Sequence, residues 1–390
     1  MLEFGTYFYP NSTRCPIRSR RASDARRPIT DETQLVQTAP PRFDGHQQPH
    51  TYCLGNREET IWDDAEQTAM AKQVEIARQF GIDYFVFLTY IANSNGQTIQ
   101  ELQAPLDQSF LKLDPSSSIP FSLMMCLGSG ARSIIPIYPG DNEQKNYPLG
   151  TATAQSIVDS CVRKYWNQPH YRLRNGKPEL TLYSPLSGQQ VTETVDALLT
   201  YSWETYQIEP YVSGVLTVNT DGTDYVRGGV DALTGYLFLP DFTPSADPVQ
   251  HYDSLLAQRI TDWHKILEQH KIPFIPPAVV GFDASPRFAP DYTLADMSTL
   301  VNNPGQGRPM TPIIPDSTPE RFTKMLNEAA RYINTCVPAD ERRMIICAWS
   351  EIAEGCALLP QVIEGQVDFS YLEALRMMKE QLNTQEMEDK

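Results

Sequence analysis

Residues 63–90 read Asp63-Asp-Ala-Glu-Gln-Thr-Ala-Met-Ala-Lys-Gln-Val-Glu-Ile-Ala-Arg-Gln-Phe80 and then Gly81-Ile-Asp-Tyr-Phe-Val-Phe-Leu-Thr-Tyr90. In the first part Ala65, Ala69, Val74 and Ala77 recur at helical spacing, and Gly81 supplies a C-terminal stop. The second part is a short aromatic and β-branched run, which reads as a buried strand. A helix delivering its chain straight into a buried strand is half of a parallel βαβ unit.

Working outward, eight strand candidates appear: Phe4–Tyr9, Tyr84–Tyr90, Phe121–Leu127, Glu179–Tyr183, Gly214–Val218, Tyr236–Leu239, Ala278–Phe282 and Met344–Trp349. Helical patterns fall between most of them, at Asp63–Phe80, Thr153–Trp166, Thr192–Tyr206, Tyr252–His270 and Pro319–Asn334, with Tyr371–Leu382 after the last. Ser317-Thr-Pro-Glu320 reads as a capping box with proline just inside the helix. Eight alternating units predict an α/β fold, a single (β/α)8 TIM barrel over residues 1–390, with an open doubly wound sheet as the alternative. The third unit is the weakest, because Gly128–Gly150 carries little helical signal. Two long irregular segments, Pro10–Trp62 after strand 1 and Phe282–Asp316 after strand 7, would both lie on the C-terminal face of a barrel.

Composition narrows the function. With 390 residues, 41% of them hydrophobic, the chain has ample material for a core. Its 48 acidic and 32 basic residues give a net charge of −16, which repels phosphate backbones and anionic lipid. Nucleic-acid and membrane-surface roles are therefore disfavoured, and no apolar run is long enough to span a bilayer. Seven irregularly spaced cysteines without a C-x-x-C pair fit neither a disulfide framework nor a zinc ribbon. His46 and His50 near Cys53 match no zinc spacing, so no metal is expected. Residues 1–10 show no basic and apolar leader pattern, and the compartment stays open between cytoplasm and, with a leader removed, periplasm or exterior. The sequence does not specify an oligomeric state.

The densest chemistry is Cys347-Ala-Trp-Ser-Glu-Ile-Ala-Glu-Gly-Cys356 at the end of strand 8. Glu351 and Glu354, three residues apart on one turn, can share a pocket, where repulsion and burial divide them into an acid and a base. Glycoside cleavage needs that division; the alternative is a solvated turn with two surface glutamates. Trp349 beside them would offer an indole face to a sugar ring. Asp283 and Arg287, after strand 7, can grip hydroxyls or simply pair with each other. Tyr7 and Tyr9 share one face of strand 1, and Tyr90 ends strand 2; His251, beyond strand 6, is a further candidate. The run Arg14, Arg18, Arg20, Arg21, Arg26 and Arg27 reverses the local charge and suits an anionic substrate, or pairs with the protein's own carboxylates. No phosphate-binding loop or nucleophile elbow occurs.

These motifs resemble the glycoside hydrolase family 99-like and WbsX-like proteins. The likeness rests on Trp349-Ser-Glu-Ile-Ala-Glu-Gly355 and, in order along the chain, on Tyr7-Phe-Tyr-Pro10, Gly81–Phe87, Tyr171-Arg-Leu-Arg-Asn-Gly-Lys-Pro178, Gly281-Phe-Asp-Ala-Ser-Pro-Arg287, Thr318–Phe322 and Tyr371-Leu-Glu373. The resemblance implies a (β/α)8 barrel that acts on glycans without a cofactor, as the endo-acting α-mannosidases and mannanases of this type do. It implies retention of anomeric configuration without an enzyme nucleophile. Glu351 would deprotonate the sugar 2-hydroxyl, which attacks C1, and Glu354 would serve as acid and then base. Ser350 stands where such proteins usually have Asn, Ile352 where they have an aromatic residue, and Cys126-Leu-Gly-Ser129 lacks their Trp/Asn/Glu-rich stretch. The expected function is a glycoside hydrolase; the alternatives are a WbsX-like glycosyltransferase of surface-polysaccharide assembly and a non-catalytic carbohydrate-binding barrel.

Overall fold

A computed structural model of the protein describes residues 2–9, 64–94, 97–101, 103–127, 130–131, 145–146, 149–184, 187–243, 246–283, 312–363 and 366–388. Nine parallel strands form a nearly closed barrel: β1 (Glu3–Phe8), β2 (Tyr84–Ser94), β3 (Phe121–Cys126), β4 (Lys177–Tyr183), β5 (Tyr211–Leu216), β6 (Ala232–Gly235), β7 (Phe274–Ile275), β8 (Pro277–Val279) and β9 (Arg343–Cys347). The order around the sheet is β7-β6-β5-β4-β3-β2-β1-β9-β8. Only Pro276 separates β7 from β8, so they are halves of one extended segment. The first half bonds to β6 and the second to β9, which brings the ring together. The proline lacks an N–H, and the ladder breaks there. The expected (β/α)8 barrel is the fold observed.

The outer layer contains α1 (Gln67–Gln79), α2 (Thr151–Ser160), α3 (Gln189–Tyr206), α4 (Thr223–Gly228), α5 (Tyr252–His270), α6 (Pro319–Cys336) and α7 (Ser370–Glu388). Between sheet and helices lies an aromatic layer. Phe8 meets Phe87 at 4.7 Å, Phe87 meets Phe110 at 4.8 Å, and Phe85 meets Trp349 at 5.4 Å between ring centroids. Strand alternation sends Phe85 and Phe87 outward to this layer and Tyr84 and Tyr90 inward.

The N-terminal end of the barrel is filled by charge. Arg172 pairs with Glu3 and Glu179, and Arg174 reaches the same two carboxylates at 3.2 and 3.8 Å. Arg343 on β9 crosses the interior to Glu179 on β4 at 3.1 Å and holds Glu341 at 3.0 Å. Burial alone would raise the Glu179 carboxyl, but Arg172, Arg343 and Arg174 outweigh it and bring it down to about 2. The Arg172 guanidinium lies 3.7 Å over the ring of Tyr84, whose hydroxyl burial pushes up to about 12.

Two local expectations are corrected. Strand 6 is Ala232–Gly235, not Tyr236–Leu239. Leu237 takes φ +46°, which no strand accommodates. Gly235 lets the chain fold back: a Cβ there would come within 2.7 Å of Phe238, so Phe238 and Leu239 are buried as loop core. The cap of α6 is Thr318 rather than Ser317. The Thr318 hydroxyl accepts from the Arg321 N–H at 3.3 Å, while Ser317 donates to the Ile314 carbonyl.

Candidate active site at the barrel mouth

Ladder register builds the site before any side chain is considered. Tyr90 pairs with Cys126, Cys126 with Tyr183, and Tyr183 with Val215, so these residues lie at one level on one face of four neighbouring strands. That level is the C-terminal end of the barrel. Tyr9 follows β1 and Tyr236 follows β6 at the same end.

The chain leaving β9 closes this ring. The Trp349 N–H donates to the Tyr7 carbonyl at 2.7 Å, extending the β1 ladder, and the Ser350 hydroxyl donates to the Tyr9 carbonyl at 2.7 Å. A single turn, Ile352–Glu354, then reverses the chain. The Cys356 N–H donates to the Glu351 carbonyl at 3.3 Å, and the Ala348 N–H to the Cys356 carbonyl at 2.8 Å. Gly355 is required at the reversal. Its φ is +61°, and a Cβ would lie 3.0 Å from the Asp283 nitrogen and 3.1 Å from its oxygen. The Asp283 N–H in turn donates to the Glu354 carbonyl at 2.8 Å, tying the end of strand segment 7/8 to the turn.

Glu351 and Glu354 are 1% and 7% exposed. The Tyr236 hydroxyl donates to Glu351 Oε2 at 3.3 Å. Burial, then the charge of Glu351, raises the Tyr236 hydroxyl well above its ordinary range, with Cys347 and Glu354 adding to the effect. Tyr90 is raised in the same way by burial, Cys126, Tyr9 and Glu351. Tyr183 is raised by burial, Cys126 and Glu354. The Cys356 thiol is held up by burial, Cys347 and both glutamates. These hydroxyls and thiols therefore stay protonated at neutral pH as hydrogen-bond donors around two carboxylic groups.

Of the residues singled out in the sequence, Glu351, Glu354, Tyr9, Tyr90 and Asp283 come to this end of the barrel. Arg287 and the basic run from Arg14 to Arg27 lie outside the described residues, as do His46, His50 and Cys53. Trp349 is a correction. Its side chain is fully buried against Phe85, and its indole N–H donates to Gln73 of α1 at 2.9 Å, so it belongs to the aromatic layer and offers no face to a ligand. Tyr7 is fully buried one layer deeper, its hydroxyl on the Gly235 carbonyl at 3.2 Å. His251 immediately precedes α5, with its side chain 69% exposed, and turns to Asp316 at 3.4 Å rather than into the barrel. Tyr183, Tyr236 and Cys356 were missed. Tyr183 ends its strand as Tyr9 and Tyr90 do, so the signal for it was present. Among the described residues no group of three His, Cys, Asp or Glu side chains can hold a metal ion, and no helix is long and apolar enough to cross a membrane.

Known proteins share the architecture. The endo-alpha-mannosidase of glycoside hydrolase family 99 from Bacteroides thetaiotaomicron superposes with a TM-score of 0.59 at 12% identity, covering 98% of this chain and 99% of that one. A solved structure described as a glycoside hydrolase-like protein gives 0.58 at 13% identity, over 97% and 93% of the two chains. At such identities the likeness is one of fold. Uncharacterized protein WxcX from two strains of Xanthomonas campestris pv. campestris is 23% identical over 361 residues, which is 88% of this chain and 45% of the relative. The chain thus spans about half the length of the curated relatives it matches. Residues 30–375 match the profile described as Glycosyltransferase WbsX, and with most of its length covered the chain belongs to that family.

Proposed function

We propose that this barrel is a glycoside hydrolase in which Glu351 and Glu354 cleave a glycosidic bond of an oligo- or polysaccharide. One observation carries the reading: two glutamates, three residues apart, are both almost wholly buried at the open end of the barrel, with the Tyr236 hydroxyl on Glu351. Removing a carboxylate from water costs several kcal/mol. A turn that served only to reverse the chain would not need to bear that cost twice, whereas acid–base chemistry depends on it.

In the proposed sequence Glu351 accepts the proton of the sugar 2-hydroxyl as that oxygen attacks C1. Glu354 gives its proton to the departing glycosidic oxygen, leaving a 1,2-anhydro sugar. Glu354 then takes a proton from water as it adds at C1, and Glu351 returns a proton to O2. The product keeps its anomeric configuration, and no cofactor enters. Tyr9, Tyr90, Tyr183 and Asp283 line the same end and are suited to hold the ring hydroxyls. The fold shared with an endo-alpha-mannosidase supports α-mannans as first substrates to try.

The test is reducing-sugar release from a glycan panel that includes α-mannan, with anomeric configuration followed by proton NMR. Glu351→Gln and Glu354→Gln are each expected to lower kcat/KM by about 10²–10⁴-fold while binding persists. Release of nucleotide from activated sugars, with no glycan cut, would replace this reading by the glycosyltransferase one. Unchanged sugar binding in both variants with no turnover of any substrate by the parent would favour a binding barrel. If the basic run from Arg14 to Arg27 engages an anionic glycan, KM rises with ionic strength.

A further inference from the structure

We propose that Tyr236 positions Glu351, and that Tyr7 seats Tyr236. The inference rests on the reading of Glu351 as the base and adds the device that aims it.

Three contacts point this way. The Tyr236 hydroxyl donates to Glu351 Oε2 at 3.3 Å, from a residue that directly follows β6, on the far side of the barrel from β2 and β3. The Tyr236 ring meets the Tyr7 ring edge-on, with centroids 5.2 Å apart and planes at 62°. The Tyr7 hydroxyl donates at 3.2 Å to the carbonyl of Gly235, the residue immediately before Tyr236. Tyr7 therefore holds both the backbone that leads into Tyr236 and the edge of its ring. On the other side Leu237, at φ +46°, turns the chain away, with Phe238 packed back against Gly235. A phenol fixed at both its ends has little rotamer freedom, so its hydrogen bond fixes one carboxylate oxygen of Glu351 at small entropic cost.

A donor aimed at a carboxylate favours the ionised form, the form a base needs before it can accept the proton of O2. A side chain that only filled space would have no such effect. Its removal would change stability without changing how Glu351 titrates.

The experiment reads that titration directly. The full chain is labelled with [13Cδ]-glutamate, the Glu351 resonance is assigned as the one missing in Glu351→Gln, and its midpoint is followed in the parent, in Tyr236→Phe and in Tyr7→Phe. Tyr236→Phe is expected to tighten proton binding at Glu351 by about 3–10-fold, one modest hydrogen bond's worth, with the thermal midpoint little changed. Tyr7→Phe keeps the Tyr236 hydroxyl but loosens its seat, and moves the midpoint the same way by less; it also serves if Tyr236→Phe does not fold. Where a glycan substrate is in hand, the acidic limb of kcat/KM against pH shifts by the same factor in Tyr236→Phe while KM holds. An unmoved Glu351 midpoint in the folded Tyr236→Phe protein overturns the proposal. Failure of the hydrolase reading looks different: the midpoint moves, yet Glu351→Gln leaves every measured turnover intact.

Discussion

Substituting Glu179 by Gln tests the charged floor of the barrel. Among the described residues Glu3, Glu179 and Glu341 face Arg172, Arg174 and Arg343, three charges against three, and Glu179 touches all three guanidinium groups. Its carboxyl lies at about 2 in the folded protein against an ordinary 4.5, a depression of about 2.5 units. At about 1.36 kcal/mol per unit this is roughly 3 kcal/mol of stability. Breaking a buried pair from one side costs about 3–5 kcal/mol by a separate route, because an uncompensated guanidinium stays behind. Because the folded-state value lies below the unfolded one, the contribution is complete above pH 4.5 and disappears as pH falls toward 2. At pH 7 the variant should therefore be less stable by about 3 kcal/mol, equivalent to about 4 °C in Tm for a chain of this length. Near pH 2 Glu179 of the parent is itself about half protonated, nearly all of the charge's contribution is gone, and the two proteins should come within about 1 kcal/mol of each other. Denaturant titrations between pH 2 and pH 7 follow both limits. A difference below about 1 kcal/mol at pH 7, or one that stays constant down to pH 2, would show that the floor is not held together by this charge and would refute the reasoning.

Trp349→Ala should cost about 3–5 kcal/mol, because it empties a fully buried indole site and leaves Gln73 without its donor. Unchanged thermal stability with loss of sugar binding would restore the platform reading that the structure corrects. Gly355→Ala places a Cβ 3.0 Å from the Asp283 nitrogen at φ +61° and should destabilise by about 1–2 kcal/mol. Thermal melts check the figure, and a neutral result would mean the turn can shift away from Asp283. Glu354→Gln should leave Tm at pH 7 nearly unchanged, since the proposed sequence has Glu354 already protonated at rest and the amide keeps its shape; a loss as large as that in Glu179→Gln would instead mark Glu354 as a structural ion.

Most of the barrel was legible because its units repeat one pattern, a periodic helix followed by a short apolar run. Strand 6 was misread where two physical preferences disagreed. Tyr236-Leu-Phe-Leu239 has the stronger β composition, but Ala232–Gly235 has the register that fits between β5 and β7, and register decided. The glutamate pair could be read because the sequence shows both a strand end and a spacing. The face presented by Trp349 could not. Alternation predicts a side only while the ladder runs, and β9 ends at Cys347, two residues earlier. The floor network was hidden for a different reason. Glu3, Glu179 and Arg343 look like surface residues at the starts of separate strands, and only ring closure brings those starts together.

That closure also explains why the two ends of one cylinder can carry opposite demands. At the floor each carboxylate meets guanidinium groups presented from β9 and from the segment before β4, and the compensation is internal. At the mouth Glu351 and Glu354 ride on a turn anchored by backbone hydrogen bonds to Tyr7 and Asp283 and by the Ser350 hydroxyl on the Tyr9 carbonyl, with the Tyr236 hydroxyl on Glu351. On the proposed reading a hydroxyl donor such as that of Tyr236 leaves a carboxylic group able to exchange its proton, whereas the guanidinium groups at the floor hold Glu179 ionised. The charge of Glu179 then supplies stability at the floor that a proton-exchanging mouth, as proposed, does not have to provide.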